Sequence, residues 1–548
     1  MQFLLIEGLL VLAALTAASP TSRRATDHVT HEKRHQLPVV WAKREKVDGR
    51  AVLPLRIGLK QRNLDRADEL LDQSGDYAQH WTPRQIADMF APSQEVVDSV
   101  RAWLAESGID PRRIGVSESR SWISVNATVA EVESLIQTDY HVYEHSSGHL
   151  HVASGSYSVP AYLSAEHIDF IMPTLHFDAK RCREDIGQNT GTLAKLGPQT
   201  GMSKIIKKLE DCDTQIVPDC LRALYHLPPG TPAQPGNSCG IVEYTPQSYH
   251  PADLDLFFAN LSKKEVGDRP ILDSIDGGTI QQNLTDPNLF VESALDLEYA
   301  MALVYPQTVM LYQVGDMLGG GSFNNFLDAL DGSYCTYEGG DDPVQDGVYP
   351  DPAPGGYKGP ADCGTSKATN VISTSYGYNE AELTPVYQMR QCYEYMKLGL
   401  HGVTVLYSSG DYGVAGNGGI CVGTNGTQIN GTSGHFNPSF PGTCPYITAV
   451  GATQVLTGTN ILQDLANKVQ PEVACETRIR SGGGFSNGPV GFLNPALYAH
   501  PDVLNNVIRG ANPGCGTAGF AVAPGWDHVT GLRTPNFPRM LDLFLGLP

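Results

Sequence analysis

Beyond about residue 215 the chain keeps returning to one pattern, a short apolar run rich in β-formers followed by a stretch with helical periodicity. The runs are SCGIVEYTPQ (238–247), ALVYPQTVMLYQV (302–314), NVISTSYG (370–377), GVTVLYSSGDYG (402–413) and YITAVGATQV (446–455). Strands this short and this continuously apolar are buried on both faces, which is the condition of a parallel sheet covered by its crossover helices. The pattern predicts an α/β fold, a mostly parallel sheet with flanking helices, over residues 205–548.

The preceding region follows a different logic. AVLPLRIGLKQ alternates like a strand, LDRADELLDQS and SQEVVDSVRAWLAESGI have amphipathic helical spacing, and SWISVNATVAEVESLIQT reads as strand, cap and helix. YHVYEHSSGHLHVASGSYSVP reads as a hairpin. This predicts a small α+β sandwich within residues 19–195. It ends in a polar, Gly-containing stretch (176–205) that has lost periodicity and reads as a linker.

Residues 1–18, MQFLLIEGLLVLAALTAA, read as a secretory signal, too short to span a bilayer and ending in small residues. Sequons at Asn126, Asn260, Asn283, Asn425 and Asn430 suit an exported, glycosylated chain. Of 11 cysteines, ten lie at or beyond Cys212, so disulfides are expected in the later domain, with one thiol left over. A net charge of −21 argues against nucleic acid and against anionic membranes as partners.

Four stretches carry chemistry. In VESALDLEYA, Glu292 and Asp296 are four residues apart and share one helical face among apolar neighbours. A buried carboxyl pair does not hold two charges easily, so one keeps its proton to higher pH and the two can share it. That equips the pair for general-base chemistry in acid. In LYSSGDYGVAG an apolar strand runs into a Gly-flanked turn holding Asp411, an acid that can donate a hydrogen bond to an oxyanion when protonated. Gly482, Gly483 and Gly484 would let backbone approach a bound peptide closely, or form a flexible turn. Near the C-terminus, Asn506 and Asp527 with the carbonyls of Val507, Ala523 and Gly525 form a candidate Ca²⁺ loop.

Taken with PDCLRALY, VISTSYGYNE, FNPSFPGTCPYITAVGAT, SGGGFS, GFLNPALY and PGWDHVTGLRTPNF in this order, the chain resembles the sedolisin family of serine-carboxyl peptidases, which includes the tripeptidyl peptidases. The resemblance implies a subtilisin-like α/β domain with bound calcium, preceded by a propeptide. It further implies a secreted monomeric zymogen that hydrolyses polypeptides in acid. Glu292 would be the general base, Asp296 its orienting partner and Asp411 the oxyanion-hole acid.

The pattern breaks where the nucleophile belongs. The family's Gly-Thr-Ser segment should lie between the triple glycine and GFLNPALY, yet Asn487 is followed by only Gly488, Pro489 and Val490 before Gly491. Ser433 precedes the glycine loop and Ser486 lacks a strand-to-helix setting, so both read as ordinary loop residues. Asn506 stands where the family has Asp, which weakens the calcium site by one charge. Two expectations follow: a coding segment of a normal peptidase is missing from this sequence, or the chain is a non-catalytic peptide-binding or inhibitory relative.

Overall fold

The computed structural model describes residues 27–34, 41–73, 80–117, 119–145, 150–175, 209–230, 235–281, 285–335, 346–383, 385–477, 479–482 and 494–546. The signal segment, the whole 176–205 linker and the 487–491 junction lie outside these residues.

The N-terminal module is built on a sheet of β1 (Val52–Leu59), β2 (Gly115–Val116), β3 (Trp122–Thr128) and β4 (Ile168–Met172), ordered β2-β3-β1-β4 and antiparallel throughout. Its helices are α1 (Ala67–Gln73), α2 (Pro83–Phe90), α3 (Gln94–Glu106) and α4 (Val129–Ile136). The sequence states why β3 hands over to α4: Thr128 accepts from the Glu131 backbone N–H while the Glu131 side chain returns to Thr128 N–H, a reciprocal cap. Val97, Val100 and Leu104 on α3 and Val132 and Ile136 on α4 close on Leu55, Ile57 and Ile123 of the sheet. The expected hairpin is present, with His141–His145 paired antiparallel to Leu150–Ala153.

The larger domain matches the α/β expectation. Its six strands are β5 (Ser238–Tyr244), β6 (Ile271–Ile275), β7 (Thr308–Val314), β8 (Val371–Thr374), β9 (Thr404–Ser408) and β10 (Thr448–Val450). They lie in the order β6-β7-β5-β8-β9-β10, and every pairing is parallel. Five of the six are the apolar runs of the sequence. The sixth, ILDSI, is an edge strand exposed at three of its five positions, so its pattern carries no continuous apolar signal. Helices α5 (Pro251–Leu261), α6 (Val291–Val304), α7 (Phe323–Leu330) and α8 (Pro385–Leu400) cover the faces, and α9 (Asn494–Ala499) and α10 (Phe537–Leu545) lie near the C-terminus. Disulfides join Cys212–Cys220, Cys335–Cys363, Cys392–Cys444 and Cys421–Cys515; among the described residues Cys239 and Cys475 are unpaired.

The two domains meet on α8. Leu70, Leu71, Ile86 and Phe90 of the N-terminal module pack against Met396 and Leu400. Further along the helix, Arg390 is buried with its guanidinium 3.9 Å from the Trp122 ring centroid, 3.5 Å from Asp169 Oδ2 and 3.4 Å from the Ser121 carbonyl. A charge this deep is held by its partners, since desolvation alone would expel it.

Candidate active site

α6 packs beside β5 and β7, and the spacing of Glu292 and Asp296 places both on one face of it. Leu295, one of the neighbours expected to bury the pair, is 48% exposed and turns outward, whereas Ala294, Leu297 and Met301 are buried. The carboxyl groups lie in a low-dielectric setting. Burial pushes Glu292 up to about 8, with the charges of Asp296 and Asp411 adding to it, and burial pushes Asp296 up to about 6. The nearby Ser375 hydroxyl tempers the rise of both.

Asp411 lies in the turn after β9, and burial raises its carboxyl above the ordinary range. The turn is held by the 479–482 strip: Arg480 N–H donates to the Asp411 carbonyl at 2.9 Å and Gly482 N–H to the Gly410 carbonyl at 3.0 Å. At Gly482 a Cβ would collide with the Ser409 carbonyl, so the close approach that demands glycine is to the Asp411 turn itself. Gly483, Gly484 and Ser486 lie outside the described residues. Ser433 is exposed on its loop. Glu292 is thus within electrostatic reach of both Asp296 and Asp411.

Besides Ser375, sequence reading missed Glu243 and Tyr376 in the cluster. Glu243, fully buried on β5, is raised well above the carboxylate range by burial and by the nearby Asp296 and Glu292. The Tyr376 hydroxyl donates to it at 2.6 Å. The available signal was a glutamate inside the apolar run CGIVEY, where a surface residue has no place.

At the expected calcium loop, Asn506 Oδ1 is buried without a hydrogen-bond partner, an oxygen of the kind a hard cation takes up. Asp527 is differently placed. Its Oδ1 accepts from Val529 N–H and Thr530 N–H, both at 2.8 Å, and its Oδ2 from the Thr530 hydroxyl at 2.9 Å. Among the described residues no group of three or more His, Cys, Asp or Glu converges as metal ligands.

A cavity of about 410 Å³ adjoins β10, walled by Val450, Thr453, Leu497, Tyr498, Trp526 and Arg533. Among the described residues β10 has a strand partner on one side only.

Fold and site together define an α/β protein with a cluster of buried and half-buried carboxyl groups near the C-terminal ends of parallel strands, where such sheets place their chemistry. Residues 40–177 match the Pro-kumamolisin activation domain. The chain is 36% identical to tripeptidyl-peptidase SED1 of Arthroderma otae, covering 97% of this chain and 98% of that one. It is 37% identical to aorsin of Aspergillus oryzae, covering 98% of each. Among solved structures it is similar to Pseudomonas sedolisin, a serine-carboxyl proteinase, at 15% identity and a TM-score of 0.38 over 61% of this chain and 98% of that one. The chain belongs to the sedolisin family of peptidases and carries the activation domain of its zymogens. The alignment with SED1 runs over 669 positions, more than the 548 residues of this chain, so the relative holds residues with no counterpart here.

Proposed function

We propose that this chain derives from a secreted, acid-acting sedolisin peptidase of the tripeptidyl-peptidase type, made as a zymogen, and that the sequence lacks the segment bearing the nucleophilic serine. The observation that carries the reading is that Glu292, Asp296 and Asp411 are all raised by burial, with Glu292 also sensing the charges of the other two. Glu292 takes the proton of an attacking hydroxyl and later returns it to the leaving amine, while Asp296 orients Glu292. Asp411, protonated in acid, donates to the oxyanion. Acid operation follows because Asp411 is a donor only when neutral. An alignment longer than the chain supports a missing segment, placed by the sequence break between Asn487 and Gly491.

As it stands the chain is expected to show no peptide hydrolysis. A transcript or genomic read across the junction should contain further coding sequence with a Gly-Thr-Ser motif, and inserting it should give hydrolysis at acid pH. Uninterrupted coding sequence, with a folded chain that binds peptides without cutting them, would instead establish the non-catalytic alternative.

Calcium belongs to the same proposal. The Asn506 side chain, the carbonyls of Val507, Ala523 and Gly525, and Asp527 would hold it, and its chemistry there is structural, tying the C-terminal loop to the domain. With one carboxylate in the set, affinity should be in the millimolar range. At tenfold excess over Kd, calcium is then expected to stabilise the chain by about 1.4 kcal/mol. A melting temperature indifferent to 10 mM calcium and to chelator would remove the site from the proposal.

A further inference from the structure

Among the described residues, the cavity beside β10 has one charged residue in its wall, and that charge has no partner. The wall is otherwise mostly apolar, with Val450 on β10, Leu497 and Tyr498 on α9, and Trp526. Arg533 stands among them. Its Nε is buried without a hydrogen-bond partner, and among the described residues its guanidinium forms no ion pair. An unanswered buried donor marks a place where a partner belongs. Glu292, Asp296 and Asp411 do not line this cavity.

The backbone holds the arginine at this wall. Arg533 has φ +126°, a value that residues with a Cβ rarely adopt. On one side, Asp527 accepts from the Val529 and Thr530 N–H groups, and Arg533 N–H closes the turn on the Thr530 carbonyl at 3.0 Å. On the other, Thr534 pairs antiparallel with Asn505. Strain of this kind persists where the surroundings impose it, and ligand clamps are among the places where it gathers. The acids in this packing are already occupied. Asp527 is taken up by its own loop, and Glu472 accepts from Tyr225, Thr453, Gln470 and Thr534.

We propose that this cavity binds a small apolar monocarboxylate, with the carboxylate on Arg533 and the apolar body against Leu497, Tyr498 and Trp526. A guanidinium presents a planar fork of donors that matches a carboxylate. An apolar pocket with one charged group to fix orientation is the usual form of a small-ligand site, and about 410 Å³ is within the usual range of volumes. A neutral apolar molecule would leave the guanidinium unanswered, and a dianion would bring a second charge to a wall with one cation. A free acid and the last residue of a peptide present this same chemistry. The proposal goes beyond the peptidase reading and does not depend on it.

The test titrates the full chain with 3-phenylpropionate by calorimetry at about pH 6, where a carboxylate is ionised. A dissociation constant of about 1 mM or below is expected for a ligand of this size. The neutral isostere 3-phenylpropanamide should bind about tenfold more weakly or worse, because it loses the charge-assisted pair. Arg533→Gln should weaken the acid by about the same factor and leave the amide unchanged, and Arg533→Lys, which keeps the charge without the fork, should fall between. Acid and amide binding alike, an Arg533→Gln chain that holds the acid as wild type does, or no binding at about 10 mM would overturn the site. The comparison of acid with amide uses the wild-type chain, so it decides the matter even where Arg533→Gln does not fold. A short peptide ending in phenylalanine separates the two sources. Tighter binding than 3-phenylpropionate, lost on C-terminal amidation, makes the ligand a peptide terminus; weaker binding makes it a free acid.

Discussion

Glu292→Gln is expected to remove a large part of a pH dependence that makes the wild-type chain several kcal/mol less stable at pH 8 than at pH 4. Glu292 and Glu394 are pushed up to about 8, Glu298 to about 7 and Asp296 to about 6, each chiefly by burial. A carboxyl raised on folding binds its proton more tightly in the native state. Its contribution is fully present below the unfolded value near 4 and is lost as pH climbs through the folded one. For Glu292 alone, a rise from 4.5 to about 8 corresponds to roughly 3–5 kcal/mol. Glu131 opposes this, held down at about 2 by Arg113, so its contribution falls away as pH drops. The Arg113–Glu131 pair is about one-third exposed, and solvent screening keeps it small. Maximum stability should therefore lie near pH 4. The net charge of −21 adds repulsion at high pH in the same direction, which is why the variant matters. A Glu292→Gln profile parallel to wild type from pH 4 to pH 8 would show that this carboxyl is not buried as described.

The second large effect concerns the contact between domains. Arg390→Ala is expected to weaken docking of the N-terminal module, once the chain is cut within 176–205, by about 100-fold or more. The lost interactions are a desolvated cation–π contact with Trp122 and charge-assisted bonds to Asp169 and the Ser121 carbonyl. Together these amount to about 3 kcal/mol, and each 1.4 kcal/mol is a factor of ten. Equilibrium binding of the separated module to the remainder, by calorimetry or surface capture, measures it directly. A change below about threefold would mean that the α1 and α2 contacts on Met396 and Leu400 carry the interface alone.

What was legible in the sequence was what is local. Strands β5, β7, β8, β9 and β10 announce themselves as apolar runs, and the Thr128 cap marks the start of α4 in so many letters. The Glu292–Asp296 pair is legible because helical periodicity alone makes them neighbours. Glu243, Ser375 and Tyr376 join the cluster only through the register of β5 against β8, and nothing in either stretch fixes a register with a partner more than a hundred residues away. Arg390 hides for a related reason. On an isolated amphipathic helix an arginine reads as surface, and here it is buried by a second domain whose docking has no local pattern.

Among the described residues β10 ends the sheet, with Val450 half exposed beside the cavity walled by Trp526 and Tyr498. Backbone N–H and C=O groups on such a rim seek partners, and the nearest chemically matched rim belongs to another copy of the same molecule. Such chains would then stack strand to strand into oligomers whose amount rises with concentration.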